Sequence, residues 1–152
     1  MPLFANYPLV AAFASILIAQ WVKVPLYYIT NRSWNLGLCF SSGGMPSSHS
    51  AAVVSLSTAI GIWNGVSSVP FAISAVFSAI IMFDAAGVRR HAGEQAVILN
   101  RLMEEFYYLF QRTGQEQRKA LKELLGHRPI EVFVGALLGA CISVFTYILF
   151  YR

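Results

Sequence analysis

Two histidines, a carboxylate and three cations carry the chemistry that can be read from this chain. His127 and Glu131 stand four apart at the start of an apolar run, so on a helix they share a face. A carboxylate that holds one imidazole nitrogen fixes the tautomer and leaves the other nitrogen as an attacking lone pair. A second histidine, His49, follows Pro46, Ser47 and Ser48, and is a candidate to protonate a leaving oxygen. Lys23, Arg89 and Arg90 suit phosphoryl oxygens and the charge that develops on them. Pro46 is a favourable first helical residue. A helix starting there points its unbonded N–H groups, with the Ser47 and Ser48 hydroxyls, at an anion, and phosphate is the usual occupant. Each piece also has a plainer reading. The serines can be a helix cap, Arg89-Arg90 a basic stop at a membrane surface, and His127 a residue closing the turn before Pro129. Their combination favours phosphoryl chemistry.

The elements that must position these groups are membrane helices. Of the 152 residues, 57% are hydrophobic and 12% charged, against roughly 25% charged in soluble domains. The net charge of +4 therefore reads as basic loops facing an anionic leaflet, not as a nucleic-acid surface. Cys39 and Cys141 propose no disulfide framework. The first apolar run has no positive flank and continues through Trp21, so it is expected to be a retained span and not a cleaved leader.

Taken in order, Tyr7 to Tyr28 is long enough to cross about 30 Å of hydrocarbon, with Pro25 as a candidate kink or end. Thr30 to Met45 reads as a loop with Trp34 at the interface. Pro46 to Asn64 is a second, short span, closed by the turn cluster from Asn64 to Pro70. A third span runs from Pro70 to about Gly87. Arg89 to Arg128 holds most of the chain's charge. Within it, Ala96 to Phe110 and Gln115 to Leu125 have apolar residues at helical spacing and read as helices on the protein or membrane surface. Ile130 to Tyr151 is the fourth span. Its Gly135-xxx-Gly139, like Gly61-xxx-Gly65, permits close helix contact and suggests homo-oligomers through glycine faces. The expectation is one all-α membrane-embedded domain over residues 1–152.

Four spans place both termini on one side and the two polar loops on the other. Ten of the eleven Lys and Arg fall on the loop side, so the positive-inside rule makes that side cytoplasmic. Lys23, His49, Asp84, Arg89, Arg90, His127 and Glu131 then gather at the cytoplasmic ends of four helices. Ionisable groups at that depth are costly and face functional interiors. Asp84 is placed to orient Arg89 or Arg90. A cation site with Glu104 or Glu105 is the weaker reading, because lone carboxylates hold magnesium poorly.

Pro46-Ser47-Ser48-His49 resembles the Pro-Ser-Gly-His motif of the type 2 phosphatidic acid phosphatases, relatives of the vanadium haloperoxidases. Gly126 to Gly135, with His127 and Glu131, is similar to that superfamily's final motif. More closely, Gly43-Gly44-Met45-Pro46-Ser47-Ser48-His49-Ser50-Ala51 and the run with Asp84, Gly87, Val88, Arg89, Arg90, Gly93, Gln95, Ala96 and Asn100 resemble the divergent PAP2 family, a pattern covering nearly the whole chain. The resemblance implies His127 as nucleophile, His49 as proton donor to the leaving group and Glu131 as the carboxylate that orients the nucleophile. The chain departs from the superfamily in Ser48 for glycine, Glu131 for aspartate, the spacing of Lys23 and Arg32, and Leu121 where an arginine precedes the nucleophile. Arg89 or Arg90 is the replacement from another helix.

The function expected is metal-independent hydrolysis of a lipid or isoprenoid phosphomonoester through a phosphohistidine, in a bacterial-type cell membrane. Phosphate or vanadate is the site ligand, with no cofactor, no metal and no nucleic-acid partner. Two rivals stand beside it. One is a phosphate- or phospholipid-binding transporter or scramblase component, which needs the cations but not both histidines. The other is a structural bundle with no anion affinity. The charge count also predicts that Cys39, with Cys141 replaced, reacts only with reagents that reach the cytoplasm. Labelling in intact cells by an impermeant maleimide would show the opposite orientation.

Overall fold

The computed structural model describes residues 5–40, 43–110 and 126–151, with the side chains of 40 and 107–110 outside that description. Among the described residues there are five α-helices and no strand: α1 (Tyr7–Asn31), α2 (Ser48–Asn64), α3 (Val69–Ala86), α4 (Val88–Phe110) and α5 (Pro129–Phe150), with a 3₁₀ turn over Leu36–Phe40. The chain is an all-α membrane protein. By length and composition, α1, α5 and the rod Val69–Phe106 are each able to cross a membrane. The expected fourth, α2, has 17 residues, or about 26 Å, and packs against α1, α3 and α5.

Small residues repeated every four positions let these helices approach. The buried stripe of α1 is Tyr7, Ala11, Ser15, Ala19 and Lys23. That of α2 includes Ala51, Ser55 and Ala59, and that of α5 Gly135, Gly139 and Ser143. Lipid offers no hydrophobic drive between helices, so close backbone packing supplies the attraction. α5 comes nearest. A Cβ on Gly135 would strike the Ser47 carbonyl oxygen, and one on Gly139 the Ala51 carbonyl oxygen. These two glycines therefore set α5 against the first turn of α2, within one chain. Polar ties add to this: Ser57 and Ser78 hydroxyls lie 2.7 Å apart between α2 and α3, and the Tyr7 hydroxyl donates to the Ser143 carbonyl oxygen (3.0 Å). Tyr7 also meets the rings of Trp63, Tyr147 and Tyr151, so the beginning of α1 and the end of α5 share one end of the bundle. Lys23, more than four turns along the α1 stripe, is at the other.

Several boundaries differ from the sequence reading. Pro25 does not end α1, which runs on to Asn31; within a packed membrane bundle the freed carbonyl is tolerated. α2 begins at Ser48, not Pro46, because Ser47 has extended dihedrals and caps the helix, while Pro46 follows a cis bond from Met45. Gly65 closes α2 as its C-cap, and a Cβ added at Gly61 would lie 3.1 Å from the Phe71 ring. α4 starts at Val88, one residue after α3 and eight before the expected Ala96. The expected helix over 115–125 lies outside the described residues.

The glycine contacts predict a ranked cost. Gly139→Ala forces a methyl onto a backbone carbonyl that has nowhere to go, and should destabilise by about 1–3 kcal/mol. Gly61→Ala meets only a side-chain ring and should cost less. Unfolding of both variants in detergent checks the order.

Candidate functional site

The site forms where α2 and α5 begin and α3 ends. Three backbone contacts fix it. The His127 N–H donates to the Ala85 carbonyl oxygen at 3.0 Å, and the Ser47 N–H donates to the Glu131 carbonyl oxygen at 3.0 Å. Gly126, at φ +91°, lies so close to the Arg89–Arg90 backbone that a Cβ could not fit. Both its left-handed conformation and this contact require glycine.

His127 is 3% exposed. Its Nδ1 lies 3.0 Å from Glu131 Oε2. With the carboxylate accepting there, Nδ1 carries the proton and Nε2 the lone pair. Nε2 is buried and has no hydrogen-bond partner among the described residues, a state that costs about 1–3 kcal/mol and that an incoming group would relieve. Glu131 Oε2 also accepts from the Arg128 N–H at 3.2 Å, so one carboxylate caps α5 and orients the imidazole. The short α5 entry explains this geometry: Pro129 needs no N–H partner at the first turn, and His127 and Glu131 fall on the same side of it.

His49, the second residue of α2, is exposed. Its ring centroid is 6.3 Å from that of His127, with the planes inclined by 59°. Arg89, Lys23 and Asp84 lie within electrostatic reach of it, so these expected site residues share one end of the bundle. Lys23 is 2% exposed and within electrostatic reach of the Glu131 carboxylate. Burial of an ammonium at this level follows from its place on the small-residue stripe of α1, which turns it inward instead of toward lipid.

The two arginines separate. Arg89 Nε lies 2.6 Å from Asp84 Oδ2, which settles which arginine Asp84 orients. Arg90 Nε bonds Glu94 Oε1 at 3.0 Å, and His91 Nδ1 approaches the other oxygen of Glu94 at 3.2 Å. Arg90 is thus engaged on the exposed side of α4. The serines separate too. Ser47 is fully buried, and its hydroxyl oxygen accepts from the Ser50 N–H (3.3 Å) and the Ser50 hydroxyl (3.1 Å). In this conformation Ser47 caps the helix, where the sequence suggested an anion ligand. Ser48, 5% exposed, opens α2; its N–H and that of His49 precede the first turn's bonds and have no intrahelical acceptor.

The sequence reading missed the contacts made by backbone: the Ala85 carbonyl under His127 and the Gly126 approach to Arg89–Arg90. Gly126 beside His127 was the available signal for the second. No side chain announces the first.

The helical membrane bundle thus sets a histidine–carboxylate pair beside a Ser-Ser-His helix start. The Divergent PAP2 family profile matches residues 4–142, and the chain belongs to that family. It is also similar to YuiD of Bacillus subtilis strain 168, described as an uncharacterized membrane protein, with 48% identity over 151 residues, 95% of this chain and 96% of the relative. No solved structure matches.

The division between the arginines predicts unequal effects on anion binding. Millimolar vanadate or phosphate should raise the unfolding temperature by acting on the native state. Arg89→Ala should remove most of that rise and Arg90→Ala little of it. Melting that ignores both anions in the unaltered protein would rule out the site.

Proposed function

We propose that this protein is a membrane phosphatase that hydrolyses a lipid or isoprenoid phosphomonoester through a phosphohistidine. The observation that carries the reading is the His127 ring: Nδ1 on Glu131, Nε2 buried and without a partner among the described residues. In the first step Nε2 forms the N–P bond as the ester P–O bond breaks, and His49, protonated, gives its proton to the leaving oxygen. In the second, neutral His49 takes a proton from water, whose oxygen attacks phosphorus and releases phosphate and the free imidazole. Arg89, Lys23 and the first amides of α2 hold the nonbridging oxygens. Glu131 stabilises the ring while it carries positive charge.

The apolar helices that frame the site suit a substrate whose tail stays in the bilayer. The ten-to-one distribution of Lys and Arg supports a cytoplasmic site with both termini on the other side, and the bacterial relative supports a bacterial-type cell membrane. A second reading is binding of phosphate or phospholipid without turnover in a transporter or scramblase component. It draws on Arg89, whose Nε is held by Asp84 while the rest of the guanidinium keeps donors for an anion, and needs neither histidine.

Phosphate release from a panel of lipid and prenyl phosphates in detergent separates the two. His127→Ala should lower turnover by about 10³-fold or more while vanadate stabilisation persists. His49→Ala should lower it by about 10²–10⁴-fold, less for substrates with good leaving groups. Glu131→Gln should also slow it strongly. Undiminished hydrolysis by the His127→Ala protein contradicts the mechanism. Anion binding with no release from any substrate favours the second reading.

A further inference from the structure

The hydroxyls of Ser15 on α1 and Ser55 on α2 are fully buried and have no hydrogen-bond partner among the described residues. Other helical hydroxyls in the bundle turn back to the carbonyl four residues before them: Thr30 to Leu26 (3.0 Å), Ser57 to Val53 (3.1 Å) and Ser78 to Ser74 (2.8 Å). That bond is the local way for a serine inside a helix to satisfy itself. Ser15 and Ser55 do not make it to Ala11 and Ala51. A buried hydroxyl left in this state costs free energy, and here two of them do so on facing helices.

The register of the helices brings the two serines to one level. Tyr7, Ala11 and Ala59 form one apolar cluster, and α1 runs against α2 from the Trp63 end. One four-residue step along each buried stripe then sets Ser15 opposite Ser55. α5 runs in the same direction as α2, with Gly135 on Ser47 and Gly139 on Ala51. The next step sets Ser143, also fully buried, beside Ser55. The Tyr7 O–H donates to the Ser143 carbonyl oxygen at 3.0 Å, so Ser143 is the donor in the 2.9 Å contact between the two hydroxyls. Ser143 Oγ therefore keeps its lone pairs. The helices also part at this level. α2 and α5 touch at backbone distance at Gly139, whereas beyond the serines the Tyr7 ring is wedged among Trp63, Tyr147 and Tyr151.

We propose that the layer of Ser15, Ser55 and Ser143 is a closed hydration site inside the bundle, where an ordered water ties α1 to α2 and α5. A buried water takes two to four polar partners and makes about three hydrogen bonds. The Ser15 and Ser55 hydroxyls each offer a donor and lone pairs, and Ser143 Oγ a further acceptor. Water fits better than an ion because the layer is neutral. α1 and α2 contain no Asp or Glu, and α5 contains only Glu131 in its first turn. A charge at this depth without a counter-charge is costly. The site has a consequence at the cytoplasmic end of the bundle. Lys23 follows Ser15 by eight residues on the same stripe, about 12 Å along the helix, so the water sets the depth at which α1 holds that ammonium.

Unfolding of the full chain in detergent tests this with Ser15→Ala, Ser55→Ala and the double variant. Each single variant should lower the unfolding temperature by about 2–4 °C, the shift expected for one net hydrogen bond in a chain of this size. The double variant should lose little more than either single one, because the same water serves both hydroxyls. A crystal structure of the unaltered protein should show density within hydrogen-bond distance of both Ser15 Oγ and Ser55 Oγ. Losses that add, or single variants that melt at or above the unaltered protein, would overturn the proposal. So would a crystal structure in which the two hydroxyls turn back to the Ala11 and Ala51 carbonyl oxygens with nothing between them. Melting that rises with sodium or potassium at constant ionic strength, and only while both serines are present, would put a cation there and overturn it too.

Discussion

The contact of Gly135 and Gly139 with the carbonyls of Ser47 and Ala51 is the constraint on which the site depends. It brings the second and third turns of α5 against the start of α2 at backbone distance. One hydrogen bond, from the Ser47 N–H to the Glu131 carbonyl oxygen, then sets the relative height of the two helices. With that height fixed, His127 in the turn before α5 and His49 in the first turn of α2 lie with ring centroids 6.3 Å apart. Side chains at those two positions would separate the helices by a methyl or more. In lipid, no burial of apolar surface between helices would compensate.

Around that contact the chain concentrates ionisable groups that are expensive at membrane depth. Glu131 moderates the expense by serving three neighbours: the imidazole of His127, the N–H of Arg128 and, through its own carbonyl, the N–H of Ser47. The same residue thus caps α5, aligns the ring and ties α5 to α2. Stability and the proposed chemistry draw on one carboxylate, so a change at Glu131 acts on both. Gly126 plays the corresponding part on the α3 side, by letting the 126–128 turn rest on the Arg89–Arg90 backbone. Arg89 reaches toward Asp84 and the site from there, while Arg90, one residue on, turns to Glu94 on the outer face.

How much of this was legible in the sequence varies by residue. Composition and run length were enough for an all-helical membrane protein with about four spans, because the hydrocarbon thickness sets helix length directly. The i, i+4 spacing was enough for the His127–Glu131 contact, and the two motif runs for the family. Helix α2 starting at Ser48 was not legible: Pro46 and Ser47 both carry start signals, and the backbone dihedral of Ser47 decides between them. The separate fates of Arg89 and Arg90 were hidden too. Adjacent residues on a helix point about 100° apart, and only the placement of α4 says which one faces His49. The early start of α4 was obscured because Arg89 and Arg90 read as a basic stop at a membrane surface, whereas Glu94 stands at helical spacing from both Arg90 and His91.

The central claim is that His127 Nε2 is the nitrogen on which a phosphoryl group is carried. A structure of the protein with vanadate, which takes up the geometry of a phosphoryl group under attack, tests it most directly. The account predicts vanadium bonded to His127 Nε2, with Glu131 retained on Nδ1, Arg89 turned from Asp84 to a vanadate oxygen, and His49 on the far side of the metal centre. Vanadate held by Arg89 or the start of α2 with the His127 ring unbonded, or no vanadate at this end of the bundle, would contradict it.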